Sequence, residues 1–148
     1  MPTSGDVVQA FVAAKQRQID AWREASVVAT EAVAAATKRR REEYSPSVNE
    51  ANLYCERIEQ NERTIRMLKS LRGGPFERVA PGCVVTLQDK EGISNYLIVP
   101  EGGGCEVVVD EQRVTCMSMK APVAQAILGK TAGEAVLCNG CYFVVCIR

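Results

Sequence analysis

Between residues 6 and 43 the chain contains neither proline nor glycine, and that uninterrupted run constrains its fold more than any other feature. Alanine is abundant there, and Val12, Ile19, Trp22, Ser26, Ala29, Val33 and Ala36 recur mostly at spacings of three and four. Such a seam is one apolar stripe along a long helix, the pattern of a coiled coil. Residues 44–47, Tyr-Ser-Pro-Ser, interrupt it, because Pro46 disfavours helical geometry at Ser45 while Ser47 is suited to capping whatever follows. A second seam runs through Ala51, Tyr54, Ile58, Asn61, Ile65 and Leu68. At the usual rise per residue the first helix would span about 60 Å and the second about 35 Å. The expectation is an antiparallel pair of helices. It is either a projecting finger or, because the seam is thin and rich in alanine, an ordinary helical bundle folded back on the rest of the chain.

Leu71-Arg72-Gly73-Gly74-Pro75 ends the second seam, and two glycines followed by proline stop a helix and supply a hinge. The boundaries expected are 1–72 for the helical module, 73–78 for the linker and 79–148 for a second domain. The single Arg-Gly-Gly is a linker feature, since RNA-binding segments repeat it. Beyond the hinge, strand-like runs cover 83–87, 96–99, 105–109, 114–118, 135–138 and 142–147, with one short helical segment after the fourth. Together these predict an α+β chain: two long helices, then an antiparallel sheet carrying one helix. The glycines at 102–104 form a turn between strands, because no Gly-Lys-Ser/Thr and no helix start follow to make a phosphate cradle.

The 148 residues could form one domain or two small modules. Apolar residues are 47% of the chain but aromatics only 5%, which suits Ala-rich helices and a Val-rich sheet. Formal net charge is zero, with 12 basic and 10 acidic residues before Gly74 and 6 and 8 from there on. Bulk attraction to nucleic acid or to an anionic membrane is therefore not indicated, nor is sequence-specific DNA binding. No signal peptide and no apolar stretch of bilayer length is visible, so a cytoplasmic location is expected. The seven cysteines are an odd number and mostly sit in apolar runs, as small buried hydrophobes do. Cys138-Asn139-Gly140-Cys141 is formally a C-x-x-C motif, open to a redox or zinc role. Asn-Gly between apolar runs is also a hairpin signal that places cysteines on either side of the turn, and no histidine or second C-x-x-C completes four ligands, which leaves Cys105, Cys116 and Cys146 as the further ligands a metal would need.

Residues 120–136 read Lys-Ala-Pro-Val-Ala-Gln-Ala-Ile-Leu-Gly-Lys-Thr-Ala-Gly-Glu-Ala-Val. Pro122 suits the first turn of a helix, Val123, Ala126 and Ile127 share a face, and Gly129 is a helix stop. This segment resembles the Ser-Pro…Leu-x-Gly-Lys-x-x-Gly-Asp signature of the Gre-type bacterial transcription elongation factors, with Glu134 where the family usually has Asp. Residues 78–87 resemble the first strand of that family's C-terminal domain, and residues 95–104 the Tyr-x-Ile-Val strand after it. The resemblance implies a coiled-coil finger joined to a C-terminal domain of FKBP-like fold. It further implies RNA polymerase core as partner: the C-terminal domain docks at the rim of the secondary channel and the finger reaches toward the active centre and the RNA 3' end.

In that family, acids at the finger tip help hold a second Mg2+ beside the polymerase's own metal. Mg2+ requires hard oxygen ligands, and two-metal hydrolysis clamps both the attacking and the leaving oxygen. The family's Asp-x-x-Glu-Asn-Ala-x-Tyr reads here from Ser47 to Tyr54, retaining Glu50 and replacing the first acid by a hydroxyl. Glu42 and Glu43, across the turn, either substitute for that acid or are solvated like Glu50. Lys38, Arg39, Arg40 and Arg41 form the densest charge cluster, either a solvated face or a contact for RNA phosphates. Lys120, Ala121 and Pro122 occupy the polymerase-docking position, with Lys120 where many members carry an acid or Asn. The chain is thus expected to be no enzyme by itself, with no metal site or cofactor of its own beyond Mg2+ shared in the polymerase. An FKBP-like prolyl isomerase or chaperone module is the alternative, although only Phe76, Tyr96, Tyr142 and Phe143 offer aromatic pocket walls in the sheet region. A structural coiled-coil oligomer is a third.

Overall fold

The computed structural model describes residues 2–39 and 46–148. Its elements run α1 (Ser4–Arg39), α2 (Pro46–Ser70), β1 (Val84–Asp89), β2 (Gly92–Val99), β3 (Glu106–Val109), β4 (Gln112–Ser118), α3 (Pro122–Ile127), β5 (Ala135–Leu137) and β6 (Cys141–Ile147). The fold is α+β, as the sequence pattern predicts. At the start of α1 the Thr3 hydroxyl accepts the Asp6 N–H at 3.2 Å, and the Asp6 carboxylate accepts the Thr3 N–H at 3.1 Å. This reciprocal cap satisfies two amides that the helix leaves open. It also holds the Asp6 carboxyl below its ordinary range, first through the Thr3 backbone bond and then through the hydroxyl. At the start of α2 the expectation is corrected: the helix already includes Pro46, so Ser47 lies inside it and does not cap it. Proline at the first helical position loses no hydrogen bond, which is why the helix starts earlier than a serine cap would place it.

The chain divides into two compact units, one spanning Ala13–Arg66 and the other joining the chain up to Val12 with Met67–Arg148. In the first, α1 and α2 run antiparallel, with Ile19 and Ile65 buried. The buried Asn61 donates from Nδ2 to Gln18 Oε1 at 3.0 Å. A paired polar group inside an apolar seam fixes register, since any slip would leave it buried without a partner. Arg23 pairs with Glu62 at 2.8 Å on the exposed flank, and the Arg57 guanidinium lies 5.9 Å from the Trp22 ring centre.

In the second unit the sheet has the order β3-β4-β2-β1-β6-β5. All neighbours are antiparallel except β2 and β4, which pair in parallel from Asn95↔Val114 to Val99↔Ser118. The sheet is therefore mixed, not wholly antiparallel as expected. The chain leaving β2 passes the place of β4, forms the edge strand β3, and returns. Side-chain alternation is identical in parallel and antiparallel strands, so it could not reveal this crossing.

One sheet face presents Val84, Leu97, Val99, Val114 and Cys116 to Val7, Phe11 and Leu68 at the bases of the two helices. The other carries Val85, Leu87, Ile98, Val136 and Val144, covered by Ile127 of α3 and by Val79. Residues 73–78, expected as a linker, thus join segments that share one core, and the two compact units divide within the helices.

Turns between the strands use left-handed backbone. Asn139 and Gly140 have φ of 51° and 131° between β5 and β6, as the Asn-Gly signal predicts, whereas Asp110 and Glu111 have φ of 49° and 65° between β3 and β4. Gly82, before β1, has φ of +94°, and a Cβ there would meet the Arg72 carbonyl oxygen at 2.6 Å. Its N–H donates to the Ile98 carbonyl at 2.8 Å, so the turn cannot swing away without breaking a ladder contact. Gly82→Ala is expected to cost about 1–3 kcal/mol, read as a lower denaturant midpoint at unchanged slope. Gly73→Ala, where an added Cβ meets nothing within 4 Å, is the control and should change the midpoint little. Equal effects at the two positions would refute the close-approach argument.

Candidate functional site

Residues 118–134 fold as a tight turn, a short helix and a second turn. At the end of β4, Met119 N–H donates to Val99 O at 2.8 Å, while Ala121 N–H returns to Ser118 O at 3.0 Å. The Ser118 hydroxyl accepts the Lys120 N–H at 3.2 Å, which tightens the same turn. Ala121 then takes the N-cap position in extended geometry (φ −65°, ψ 142°), without a side-chain cap, and Pro122 enters as the first helical residue. An extended residue before proline is what the proline ring enforces, so the sequence itself sets the direction in which α3 departs. Ala124 and Ile127 are fully buried, with Val123 and Ala126 packed beside them. The buried face includes Ala124, which helical spacing from Val123 did not single out.

Lys120 and Pro122 are exposed and Ala121 is half-buried. Lys120 Nζ lies 3.8 Å from Glu101 Oε1, both side chains nearly four-fifths exposed. An ion pair so exposed contributes little stability. The structure thereby puts a carboxylate from the neighbouring loop beside the Lys120 position. Sequence reasoning did not place Glu101 beside Lys120, because the run 101–104 reads only as a glycine turn. That loop is held close: a Cβ on Gly103 would stand 3.2 Å from Ser118 N and 3.3 Å from Cys116 O.

Past α3, Gly129 takes φ of +77°. Its N–H donates to Val79 O, and Val79 N–H donates to Lys130 O, both at 2.9 Å, while Arg78 donates to Gly129 O at 3.2 Å. The Glu134 carboxylate accepts the Thr131 N–H at 2.5 Å and its hydroxyl at 3.2 Å. Glu134 therefore closes the turn that follows α3. The Thr131 backbone bond chiefly holds the Glu134 carboxyl below its ordinary value, with help from the hydroxyl, Lys130 and Arg78.

The remaining sequence-predicted residues are not brought together here. Lys38 and Arg39 end α1, and Ser47 and Glu50 lie in the first turns of α2. Arg40, Arg41, Glu42 and Glu43 lie outside the described residues. Among the described residues no group of three or more potential metal ligands gathers, and no helix is long and apolar enough to cross a membrane. Cys141 stands opposite Leu137 and not Cys138, so residues 138–140 form a three-residue connection, where a two-residue Asn-Gly turn would have set the two cysteines opposite each other. Phe76, Tyr96 and Tyr142 are half-buried against the same core cluster, and Phe143 is exposed. A cleft of about 780 Å³ at the end of α2, lined by Leu71, Pro75, Phe76, Ala80, Pro81 and Pro100, has Phe76 as its only aromatic wall.

A folded pKa below the unfolded one gives stability that is present above the unfolded value and lost as pH falls through the folded value. Glu134→Gln should accordingly melt below the parent at pH 7, with the gap closing as pH falls from the ordinary value of 4.5 through the lower folded one. A gap independent of pH down to pH 2 would show that the charge of Glu134 is irrelevant.

No protein-family model matches the chain, and no curated protein matches it. Among solved structures it is similar to GreA factor homolog 1 (Gfh1) of Thermus thermophilus, at 21% identity over 94% of this chain and 95% of that one, with a TM-score of 0.36. A second structure, of the transcription factor Gfh1, is 20% identical over 94% of each chain, with a TM-score of 0.37. Thermus aquaticus Gfh1 is 22% identical over 95% of each chain, with a TM-score of 0.38.

Proposed function

We propose that this chain is a regulator that binds RNA polymerase core and acts on elongation or pausing, with no active site of its own. The observation that carries the proposal is the 120–134 signature, folded as an exposed Lys120-Ala121-Pro122 turn ahead of a helix anchored by Ala124 and Ile127. The same chain carries a paired-helix unit with its register fixed by Asn61 and Gln18. In this reading the turn and Glu101 contact the polymerase at the rim of its secondary channel, and the helices enter the channel. Lys38, Arg39, Arg40 and Arg41 then meet RNA phosphates near the 3' end, where charge-assisted bonds are strongest.

Binding is tested by retention of purified core polymerase and by competition with another secondary-channel factor. Pro122→Gly frees the backbone of the turn and is expected to weaken binding several-fold while leaving the melting temperature within a few degrees. Absence of competition by the full chain would overturn the assignment.

Stimulation of transcript cleavage is expected to be weak, because the tip offers Glu50 with Ser47 in place of the first acid. Mg2+ is held by carboxylates far better than by a neutral hydroxyl. The metal would be the polymerase's, shared at the tip. Ser47→Asp should raise cleavage of a stalled elongation complex about tenfold, as one added charged ligand contributes on the order of 1.4 kcal/mol. Glu50→Ala should abolish that gain. Strong cleavage by the unaltered chain that persists in Glu50→Ala but disappears when Glu42 and Glu43 are changed would reassign the acids, and insensitivity to all three would refute the mechanism.

A further inference from the structure

We infer that Cys105 and Cys116 form a hydroperoxide-sensitive thiol pair that closes to a disulfide across the β3–β4 hairpin. The β3/β4 register runs Val107↔Val114 and Glu106↔Thr115, which sets Cys105 opposite Cys116. Cys116 N–H donates to Cys105 O at 2.8 Å, while Gly104 N–H donates to Cys116 O at 3.0 Å. With Gly104 at φ +88°, these bonds define a bulge in which Gly104 and Cys105 together face Cys116. Alternation puts Cys105, Val107 and Val109 on one face, and Val114 and Cys116 opposite them, and all five pack in the same apolar cluster. Both thiols therefore point to the same side. Directly opposed antiparallel residues stand about 5.5 Å apart at Cα, inside the range of about 4.4–6.8 Å that disulfides span.

The two positions are unequal in a useful way. Cys105 is half-buried, within reach of a small oxidant, whereas Cys116 is only 9% exposed. The Cys105 sulfur attacks a hydroperoxide oxygen and the O–O bond breaks. The sulfur becomes sulfenic acid, and the thiol proton leaves with the departing oxygen as an alcohol, or as water from hydrogen peroxide. The Cys116 sulfur then attacks the Cys105 sulfur and displaces hydroxide, which takes the Cys116 proton and departs as water. Two electrons pass from the thiol pair to the peroxide, and a thiol reductant reverses the change.

The other cysteines lack this arrangement. Cys83 is fully buried, and desolvation pushes its thiol up, away from the reactive thiolate. Cys146 stands opposite Thr86, and Cys141 opposite Leu137. Cys55 is exposed on α2.

The test treats the full chain with hydrogen peroxide, blocks remaining thiols, and maps tryptic peptides without reduction. Cleavage at Lys90, Arg113 and Lys120 puts the two cysteines in different peptides, so the expected product is one cross-linked pair, two hydrogens lighter than the sum and released by a reductant. In Cys116→Ser, Cys105 should instead stop at sulfenic acid and be captured by a dione probe. In Cys105→Ser, Cys116 should stay reduced at the same dose. A Cys138–Cys141 link in place of this pair, a link between two chains, or reduced Cys105 at a dose that oxidises the exposed Cys55 would each overturn the inference. The mapping on the parent chain decides the matter even if a serine variant fails to fold.

Discussion

The interaction on which the sheet-bearing unit depends is the seating of Val7, Phe11 and Leu68 on one face of the sheet. Each is at most 1% exposed, and burying a side chain of this size contributes about 1.5–3 kcal/mol. A six-stranded sheet has two faces to cover. The short helix α3 and the segment around Val79 serve one face, and the other is covered by the first turns of α1 and the last turns of α2. The same closeness of the α2 end to the sheet is seen at Gly82, which lacks a side chain where the turn into β1 runs against the Arg72 carbonyl just past α2.

The exposed turn at 118–122 follows from the opposite face. Ala124 and Ile127 fix α3 to the sheet, the Val79 contacts with Gly129 and Lys130 fix its exit, and the Ser118 bonds fix its entrance. With both ends held, Lys120 and Pro122 are presented on a backbone with little freedom, which lowers the entropy lost when such a loop meets a partner. Glu101 comes to the same spot from a different connection, so charge at the turn is set by two loops together.

Much of this was legible in the residues. The proline-free run, the Pro46 break, the strand-like runs and the Asn-Gly hairpin each have a local cause, and local causes are visible in sequence. The seam in α1, however, was read from Val12 onward, and the more consequential Val7 and Phe11 precede it. Nothing local separates a residue that packs on a helix from one that packs on a sheet. The first residues of β2 were also missed, because Gly92, Ser94 and Asn95 have low strand propensity and are carried by pairing with β1. The parallel β2/β4 pair and the proximity of Glu101 to Lys120 are products of the crossover, which no periodicity encodes. Glu42 and Glu43 lie outside the described residues, whereas Glu50 lies in the first turns of α2.

The turn that closes the β3–β4 hairpin places an aspartate and a glutamate in left-handed backbone, where glycine or asparagine would sit with less strain. β3 is also an edge strand of four residues, paired on one side only. A short edge closed by a strained turn is where a sheet opens first, well below the free energy of global unfolding. Amide hydrogen exchange in β3 is therefore set by this hairpin and not by the core behind it. Replacing Glu111 with glycine would slow that exchange without touching any buried side chain.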